Sequence, residues 1–209
     1  MQRVFRELRR RGVPTDRMSA VEVFGGAGFR HTIDYAPFVA SLDVWEIDPD
    51  REPALRRNLP GARILITDSI EEIRQTPNRY GIVVVDNATP FGGRLVEHFD
   101  LFPDLFRIAT DPCVLILNAC PSPAGGSRRD PALASRRAAF YRTDTPLDVP
   151  MERMVETYVR LMAERGLRLD WNFHLKRAYR TGIHYLVMQM SSSPAVFQKG
   201  DVPLVVECR

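Results

Sequence analysis

Short apolar runs alternate with more polar, helix-forming segments along most of the chain. Four of these runs are rich in β-branched residues and stop at glycines or at an aspartate, namely residues 20–24, 43–47, 64–67 and 82–85. They recur about every 20 residues, roughly the length of one strand, its turns and a crossover helix. The pattern predicts an α/β fold with parallel strands.

The later segments complete this sheet. Residues 114–117 are continuously apolar, which is typical of a fifth strand that is buried on both faces. Residues 167–175 and 183–190 are predicted to pair as an antiparallel hairpin, and residues 202–206 form a candidate extra strand. Amphipathic patterns and turn signals predict helices at residues 2–11, 32–40, 49–58, 69–75, 94–109 and 151–165.

Length and composition favour one folded domain. The chain has 209 residues, of which 44% are hydrophobic and 26% charged. We predict a single domain over residues 1–209, with a helical extension at residues 1–18 and a tail at residues 191–209. Residues 119–150 exceed the length of an ordinary connection, which indicates either a functional insertion or a disordered loop.

Charge, cysteine and histidine usage narrow the choice of partners. The net charge is +3, but only two of the 29 basic residues are lysines. This excess of arginine is better explained by the base composition of the genome than by a phosphate-binding surface. Three cysteines without a C-x-x-C pair predict a reducing, cytoplasmic location. Four histidines without ligand spacing predict no metal. No apolar run approaches ~18 residues, so no membrane span is expected.

The first strand carries one acidic residue and ends in a glycine-rich turn. The acid is Glu22, and the glycines are Gly25, Gly26 and Gly28. Glycine has no Cβ, so a nucleoside or a phosphate can lie against the main chain there. The residues at the ends of the next strands indicate which of the two ligands is favoured.

Asp48, Asp68 and Asp86 follow the second, third and fourth strands. Ligands of open α/β sheets bind beyond the carboxyl ends of the strands, so these carboxylates are expected to share one crevice. They can accept ribose hydroxyls and an exocyclic amine but would repel a phosphate, which favours a nucleoside with a neutral or cationic tail. Glu46 is the competing acid, and we expect it to point away because alternate strand residues face opposite sides.

These motifs, in this order, resemble the class I S-adenosylmethionine-dependent methyltransferases over residues 19–190. Residues 21–28, V-E-V-F-G-G-A-G, are similar to the family's first motif, an acidic strand followed by G-x-G. The resemblance implies a Rossmann-like three-layer sandwich. Its mostly parallel seven-stranded sheet would end in an antiparallel hairpin, and the insertion at residues 119–150 would form a lid over the acceptor.

The resemblance also implies S-adenosylmethionine as cofactor and assigns roles to individual residues. Asp48 falls where the ribose is held, and Asp68 with Ser69 falls where adenine is recognised. The implied cofactor-binding residues are Glu22, Gly25, Gly26, Gly28, Asp48, Asp68, Ser69 and Asp86. The implied acceptor-binding residues are Asn87, Thr89 and His31. The candidate catalytic residues are Asp86, His98 and Tyr141.

The expected reaction is methyl transfer to an O or N nucleophile of a small-molecule acceptor, with a homodimer as the expected assembly. A nucleic-acid methyltransferase is the nearest alternative, since a Phe before the glycines is common there, but residues 86–89 lack that branch's Asn/Asp-Pro-Pro-aromatic motif. An aminopropyltransferase would need an acid where Thr89 stands. A non-catalytic nucleoside-binding module and a nicotinamide oxidoreductase remain as further alternatives.

Overall fold

Helices and strands alternate along the chain, as the apolar pattern predicts. The structure is a computed structural model that describes residues 1–25, 30–86, 98–122, 130–176 and 184–192. The helices are α1 (Gln2–Arg10), α2 (Arg30–Tyr35), α3 (Glu52–Asn58), α4 (Ser69–Gln75), α5 (His98–Leu105), α6 (Pro131–Tyr141) and α7 (Met151–Ala163). The strands are β1 (Ser19–Val23), β2 (Ser41–Glu46), β3 (Arg63–Ile66), β4 (Tyr80–Val85), β5 (Ala109–Ala119), β6 (Arg168–Lys176) and β7 (His184–Ser191).

The strands form a seven-stranded sheet in the order β3-β2-β1-β4-β5-β7-β6. β1 pairs in parallel with β2 and with β4, and β2 pairs in parallel with β3. β6 and β7 form an antiparallel hairpin. The predicted Rossmann-like α/β fold, with its mostly parallel sheet and closing hairpin, is therefore confirmed. None of the described helices is long and apolar enough to cross a membrane.

Contacts within the chain define two compact units. The first comprises Met1–Asp86 and Asp104–Ile116, and the second comprises Asn87–Pro103 and Leu117–Arg209. Each unit is therefore built from two separate stretches of sequence, and the chain crosses from one to the other within β5. The single domain over residues 1–209 stays a prediction.

The first unit is built on strands with little polar content. Every residue of β4 is buried, as expected for a β-branched run in a parallel sheet. Helix α1 buries Val4, Phe5 and Leu8 along one face, and the ring of Phe5 stacks on Tyr35 of α2 at 4.9 Å between centroids. Residues 2–10 therefore contribute to the core of this unit.

The second unit contains the described part of the predicted insertion. Asp130 caps α6 by accepting hydrogen bonds from the amides of Ala132 and Leu133. Helix α7 buries Met151, Met154, Thr157, Tyr158 and Met162 on one face. Residues 130–150 thus contain α6, and residues 123–129 lie outside the described part of the chain.

Helices α2 and α5 depart most from their predicted bounds. Helix α2 ends at Tyr35 instead of residue 40, and a 3₁₀ turn, Ala36–Phe38, follows it because Pro37 cannot continue an α-helix. Helix α5 ends at Leu105, and the prediction of helix to residue 109 is wrong.

The fifth strand is longer than its apolar run. It begins at Ala109 instead of residue 114, because hydrogen bonds to Tyr80 at the start of β4 hold this part of the chain in the sheet. The amide of Tyr80 donates to the carbonyl of Ile108 at 2.7 Å, and the Thr110 hydroxyl donates to the carbonyl of Tyr80 at 3.3 Å. These contacts lie far apart in sequence, so a local pattern could not reveal them. The candidate strand at residues 202–206 lies outside the described residues.

Candidate functional site

Acidic side chains lie at the carboxyl ends of the parallel strands in the first unit. β1 to β4 run in the same direction, so their carboxyl ends share one edge of the sheet. Glu46 is the last residue of β2, and Asp48 lies two residues beyond it. Asp68 follows β3 and Asp86 follows β4. The structure thus brings four acidic residues to the edge at which α/β sheets bind their ligands.

Glu22 is completely buried in β1 and is held by two side chains of α2. Its Oε1 accepts a hydrogen bond from the Thr32 hydroxyl at 3.0 Å, and its Oε2 accepts one from the Tyr35 hydroxyl. Residues 26–29, which join β1 to α2, lie outside the described part of the chain. Glu22 therefore joins β1 to α2, the two elements on either side of residues 26–29.

Replacing Tyr35 by phenylalanine is expected to lower the free energy of unfolding by about 1–3 kcal/mol, because the buried Glu22 carboxylate loses a donor. The ring remains, so its stacking on Phe5 is kept. Urea unfolding would measure the loss. Tyr141→Phe is the matched control, since the Tyr141 hydroxyl contacts another hydroxyl, that of Tyr158, at 3.2 Å. An equal loss in both variants would contradict a special role for the carboxylate.

The chain turns sharply at the end of β1. Phe24 has a φ of 68°, a left-handed conformation that costs a non-glycine residue of the order of 1 kcal/mol or more. The amide of Gly25 donates to the carbonyl of Trp45 at 2.8 Å, so β1 still touches β2 at this point. A Cβ on Gly25 would lie 2.1 Å from Cγ1 of Val44. Glycine is therefore required here by close strand packing.

Gly25→Ala is expected to destabilise the protein by about 1–3 kcal/mol through overpacking against Val44. Thermal or urea unfolding would detect this loss. Gly61→Ala is the matched control, because no atom lies within 4 Å of a Cβ at that position. The double variant Gly25→Ala with Val44→Ala should recover part of the loss by removing the clashing methyl group. A stability of Gly25→Ala equal to that of Gly61→Ala would contradict the argument.

Glu46 and Asp48 lie together around the turn after β2. Oε1 of Glu46 accepts a hydrogen bond from the amide of Asp48 at 2.9 Å. The Arg51 guanidinium spans both carboxylates, 3.5 Å from Glu46 Oε2 and 3.2 Å from Asp48 Oδ2. The expectation that Glu46 points away is wrong, because residues two apart on an extended chain face the same side.

The two acids differ in exposure and in their present partners. The Glu46 side chain is 6% exposed, whereas that of Asp48 is 41% exposed. Asp48 accepts a hydrogen bond from the Asp50 amide at 3.0 Å and so caps the 3₁₀ turn Pro49–Arg51. Glu46 is consequently the better-shielded acceptor, and a hydrogen bond to its carboxylate competes less with water.

Apolar surface lies next to these carboxylates. Ile47, between the two acids, is 60% exposed, and Ile66 at the end of β3 is 36% exposed. Asp68 caps α4 by accepting from the amide of Ile70 at 2.8 Å, and Ser69 is buried behind it. Exposed isoleucine beside a shielded carboxylate offers an apolar face and an acceptor together, a combination that suits the flat base and the hydroxyls of a nucleoside.

Several predicted site residues cannot be placed beside this edge. Gly26, Gly28, Asn87 and Thr89 lie outside the described residues. His31 lies in α2 and His98 is the first residue of α5, but the side chains of both are likewise outside the described part of the structure. Their predicted roles stay predictions. Asp86, which is half-buried directly after β4, is the predicted catalytic residue that the structure does place at this edge.

Tyr141 lies in the second unit and is fully buried. Its ring packs in an aromatic cluster with Phe102, Phe140 and Tyr158, in which Phe102 and Tyr158 lie 4.3 Å apart between centroids. Its hydroxyl contacts that of Tyr158. This position favours a packing role, and the catalytic role stays a prediction.

Sequence reasoning overlooked three functional candidates in the first unit, namely Glu46, Arg51 and Tyr35. The signal for Glu46 was present, because the two-residue period of a strand puts it on the same side as Asp48. The contacts of Arg51 and Tyr35 depend on how turns and helices pack, and the sequence carries no equivalent signal for them.

Comparison with known proteins places this fold among methyltransferases. No protein-family model matches the chain, and no curated protein matches it in sequence. A putative methyltransferase, yhhF from Escherichia coli, aligns with a TM-score of 0.54 at 17% identity, over 92% of this chain and 84% of that one. TYW2 from M. jannaschii, solved in complex with AdoMet, has a TM-score of 0.56 at 14% identity, over 91% and 76%.

A third solved structure also aligns with most of the chain at low sequence identity. The N-methyltransferase NodS from Bradyrhizobium japonicum aligns with a TM-score of 0.54 at 14% identity, over 90% of this chain and 94% of that one. At these identities the likeness establishes the fold alone. The chain therefore has the class I methyltransferase fold, as the resemblance of its strand-end motifs implies.

Proposed function

We propose that the protein is an S-adenosylmethionine-dependent methyltransferase that acts on an O or N nucleophile of a small-molecule acceptor. The observation that carries the proposal is the edge formed by Glu46, Ile47 and Gly25. It combines a shielded carboxylate, exposed apolar surface and a close-packed glycine turn at the carboxyl ends of parallel strands. The class I fold supports this choice of cofactor.

The residues at this edge suit an adenosine bearing a sulfonium. Glu46 would accept the ribose hydroxyls, with Asp48 beside it, and Ile47 would lie against the adenine ring. Asp68 and Ser69 would stand near the adenine edge. Four acidic residues at one edge also favour a cationic ligand over a phosphate-bearing one such as NAD(H). Glu22 would contribute to cofactor binding indirectly, because its described partners are side chains of α2.

When bound, this cofactor supplies a methyl group on a positively charged sulfur, a leaving group that needs no protonation. The task of the chain is therefore to align the acceptor atom and to exclude water, which together can supply much of a rate enhancement. Asp86, Asn87 and Thr89 would orient the acceptor after β4, and His31 would assist from the first turn of α2. His98 is the proposed base for acceptors that must lose a proton.

The small-molecule acceptor is proposed from the insertion at residues 119–150, which would enclose a ligand as a lid. Its described part is anchored in the second unit, where the amide of Val149 donates to the carbonyl of Pro121 at 3.0 Å. The Ser122 hydroxyl donates to Asp148 at 2.6 Å. We also propose a cytoplasmic location, on the grounds of the cysteine usage.

Isothermal calorimetry with S-adenosylhomocysteine tests the cofactor directly. We expect saturable binding, together with co-purified cofactor or its product in mass spectra of the fresh protein. Stabilisation against heating by NAD(H) but not by S-adenosylhomocysteine would instead select the oxidoreductase. Binding without methyl transfer to any acceptor of a broad panel would select the non-catalytic module, and RNA or DNA binding that weakens steeply with salt would select a nucleic-acid acceptor.

A further inference from the structure

Helix α1 and the residue after it carry the excess positive charge of the chain. Residues 1–11 contain five arginines and one acidic residue, Glu7, which gives this segment a net charge of +4. The whole chain has a net charge of +3, so residues 12–209 together have a net charge of −1. The base composition of a genome raises the number of arginines throughout a chain, but it does not confine the positive excess to one helix.

Three of these arginines lie on the side of α1 that is opposite to the core. Successive residues of an α-helix are rotated by about 100°, so Arg3, Arg6 and Arg10 fall within about 60° of one another. The residues that α1 buries lie on the opposite side. All three arginines are exposed, and the side chain of Arg10 is 68% exposed. We call Arg3, Arg6 and Arg10 the arginine face.

Contacts of this segment hold several of its guanidinium groups in place. The Glu7 carboxylate accepts two hydrogen bonds from Arg10, from Nε and Nη2, each at 2.8 Å. It also accepts one from Nε of Arg11 at 2.8 Å. The Arg9 guanidinium lies over the ring of Phe38, 4.6 Å from its centroid. Groups that are held before a partner binds lose less conformational entropy on binding.

The exposed side of α1 is charged and lacks apolar surface, which selects the class of partner. An amphipathic helix binds a membrane through its apolar face, but the apolar face of α1 is buried within the first unit. The centre of a protein interface is mostly apolar or aromatic, and none of the exposed large hydrophobic residues in the described ranges lies on α1. Guanidinium groups bind phosphate oxygens through paired, charge-assisted hydrogen bonds, so a row of phosphates fits this surface.

We infer that the arginine face is a docking surface for the phosphate backbone of a nucleic acid. At a rise of about 1.5 Å per residue, Arg3 and Arg10 lie about 10 Å apart along the helix axis. Phosphates of one duplex strand follow each other about every 3.4 Å along the axis, so this length matches about three of them. Contacts of this kind do not depend on base sequence.

The inference goes beyond the proposed function. The arginine face contains none of the proposed cofactor-binding or acceptor-binding residues, so a nucleic acid that is held there is not thereby the acceptor. Docking through α1 would bring the protein to a nucleic acid, and the methyl acceptor would still be a small molecule.

Fluorescence anisotropy with a short labelled DNA duplex tests the inference. Three phosphate contacts predict that the logarithm of the binding constant falls with the logarithm of the salt concentration, with a slope of about −3. Arg3→Gln combined with Arg6→Gln should weaken binding and reduce the slope to about −1, because one arginine of the face remains. A second duplex of unrelated sequence should bind equally well. Absence of binding at low salt, or binding of one sequence alone, would overturn the docking surface.

Arg57→Gln combined with Arg153→Gln is the matched control, since it removes the same charge from two exposed arginines outside α1. We expect this control to keep a slope of about −3. Equal weakening by both double variants would attribute binding to net charge and overturn the docking surface. Tighter binding of poly-glutamate or of anionic phosphatidylglycerol vesicles than of the duplex would also overturn it, in favour of a protein or a membrane. Tighter binding of an RNA duplex than of the DNA duplex would identify RNA as the partner.

Calorimetry with S-adenosylhomocysteine separates this inference from the proposed function. We expect the Arg3→Gln, Arg6→Gln variant to bind S-adenosylhomocysteine as the unmodified protein does. Failure of the unmodified protein to bind this compound would contradict the proposed cofactor and leave the docking surface intact. Nucleic-acid binding that keeps its full salt dependence in the Arg3→Gln, Arg6→Gln variant would overturn the docking surface and select a nucleic-acid acceptor.

Discussion

Arg137→Met is expected to lower the free energy of unfolding by about 3–5 kcal/mol, because the carbonyls of Pro146 and Cys120 lose a charged donor and the carbonyl of Pro121 keeps only the Val149 amide. The side chain of Arg137, on α6, is completely buried. Its Nε donates to the carbonyl of Pro146 at 2.6 Å, and its Nη2 donates to the carbonyls of Cys120 and Pro121, each at 3.0 Å. The guanidinium also lies over the ring of Tyr141, 5.4 Å from its centroid.

These contacts join the two ends of the insertion. Cys120 and Pro121 follow β5 directly, whereas Pro146 lies close to the start of α7. One rigid guanidinium therefore holds the beginning and the end of a segment of about thirty residues, a geometry that the single nitrogen of lysine cannot reproduce. Arg137→Lys is accordingly expected to recover little of the stability.

Urea unfolding followed by circular dichroism would measure both variants. Arg153→Met is the matched control, since Arg153 is half-exposed and pairs with Glu156 at the surface. The same change there is expected to alter stability by less than about 0.5 kcal/mol. If Arg137→Met proved as stable as Arg153→Met, the guanidinium would not hold the insertion.

The sheet could be predicted because its signals are local. Residues 82–85 of β4 are all β-branched, and Asp68 caps α4 shortly after β3, so these elements are visible in the sequence. The hairpin strands were predicted to within one residue of their bounds. The end of α2 at Tyr35 was missed, since the predicted helix ran to residue 40 although Pro37 lies just beyond this end.

Tertiary contacts account for what the sequence did not reveal. β5 starts early because the chain near Ile108 and Thr110 bonds to Tyr80, about thirty residues away. Arg137 resembles any surface arginine of an amphipathic helix until its carbonyl partners are known. Hydrogen bonds between residues far apart in the chain depend on the folded arrangement. They leave no periodic pattern in a single sequence.

The choice between Glu46 and Asp48 depends on their exposure, which differs in the structure. The spacing of the strand ends predicts a ribose site after β2, and our proposal keeps that region but assigns the ribose to Glu46. Exposure then separates the two acids, because the carboxylate shielded from water offers the stronger hydrogen bonds. The sequence does not report exposure, so Asp48 was favoured for its spacing after the second strand.

Glu46→Gln is therefore expected to weaken the binding of S-adenosylhomocysteine by about 10- to 100-fold, or about 1.4–2.7 kcal/mol. The amide of glutamine cannot accept both ribose hydroxyls with a delocalised charge. Asp48→Asn is the matched control, and we expect at most a few-fold effect, since this side chain is 41% exposed and caps the following turn. Calorimetry at constant ionic strength would give both affinities.

The same pair of variants distinguishes an error in the ribose-binding residue from an error in the location of the nucleoside site. A large loss in Asp48→Asn with near-normal Glu46→Gln would return the ribose to Asp48 and keep the proposed cofactor. Normal affinity in both variants would place the nucleoside elsewhere, because no ligand could use this edge and be indifferent to both carboxylates. Arg51→Gln refines the result: the guanidinium now bridges both acids, so its removal should tighten binding if the ribose hydroxyls compete with it for Glu46.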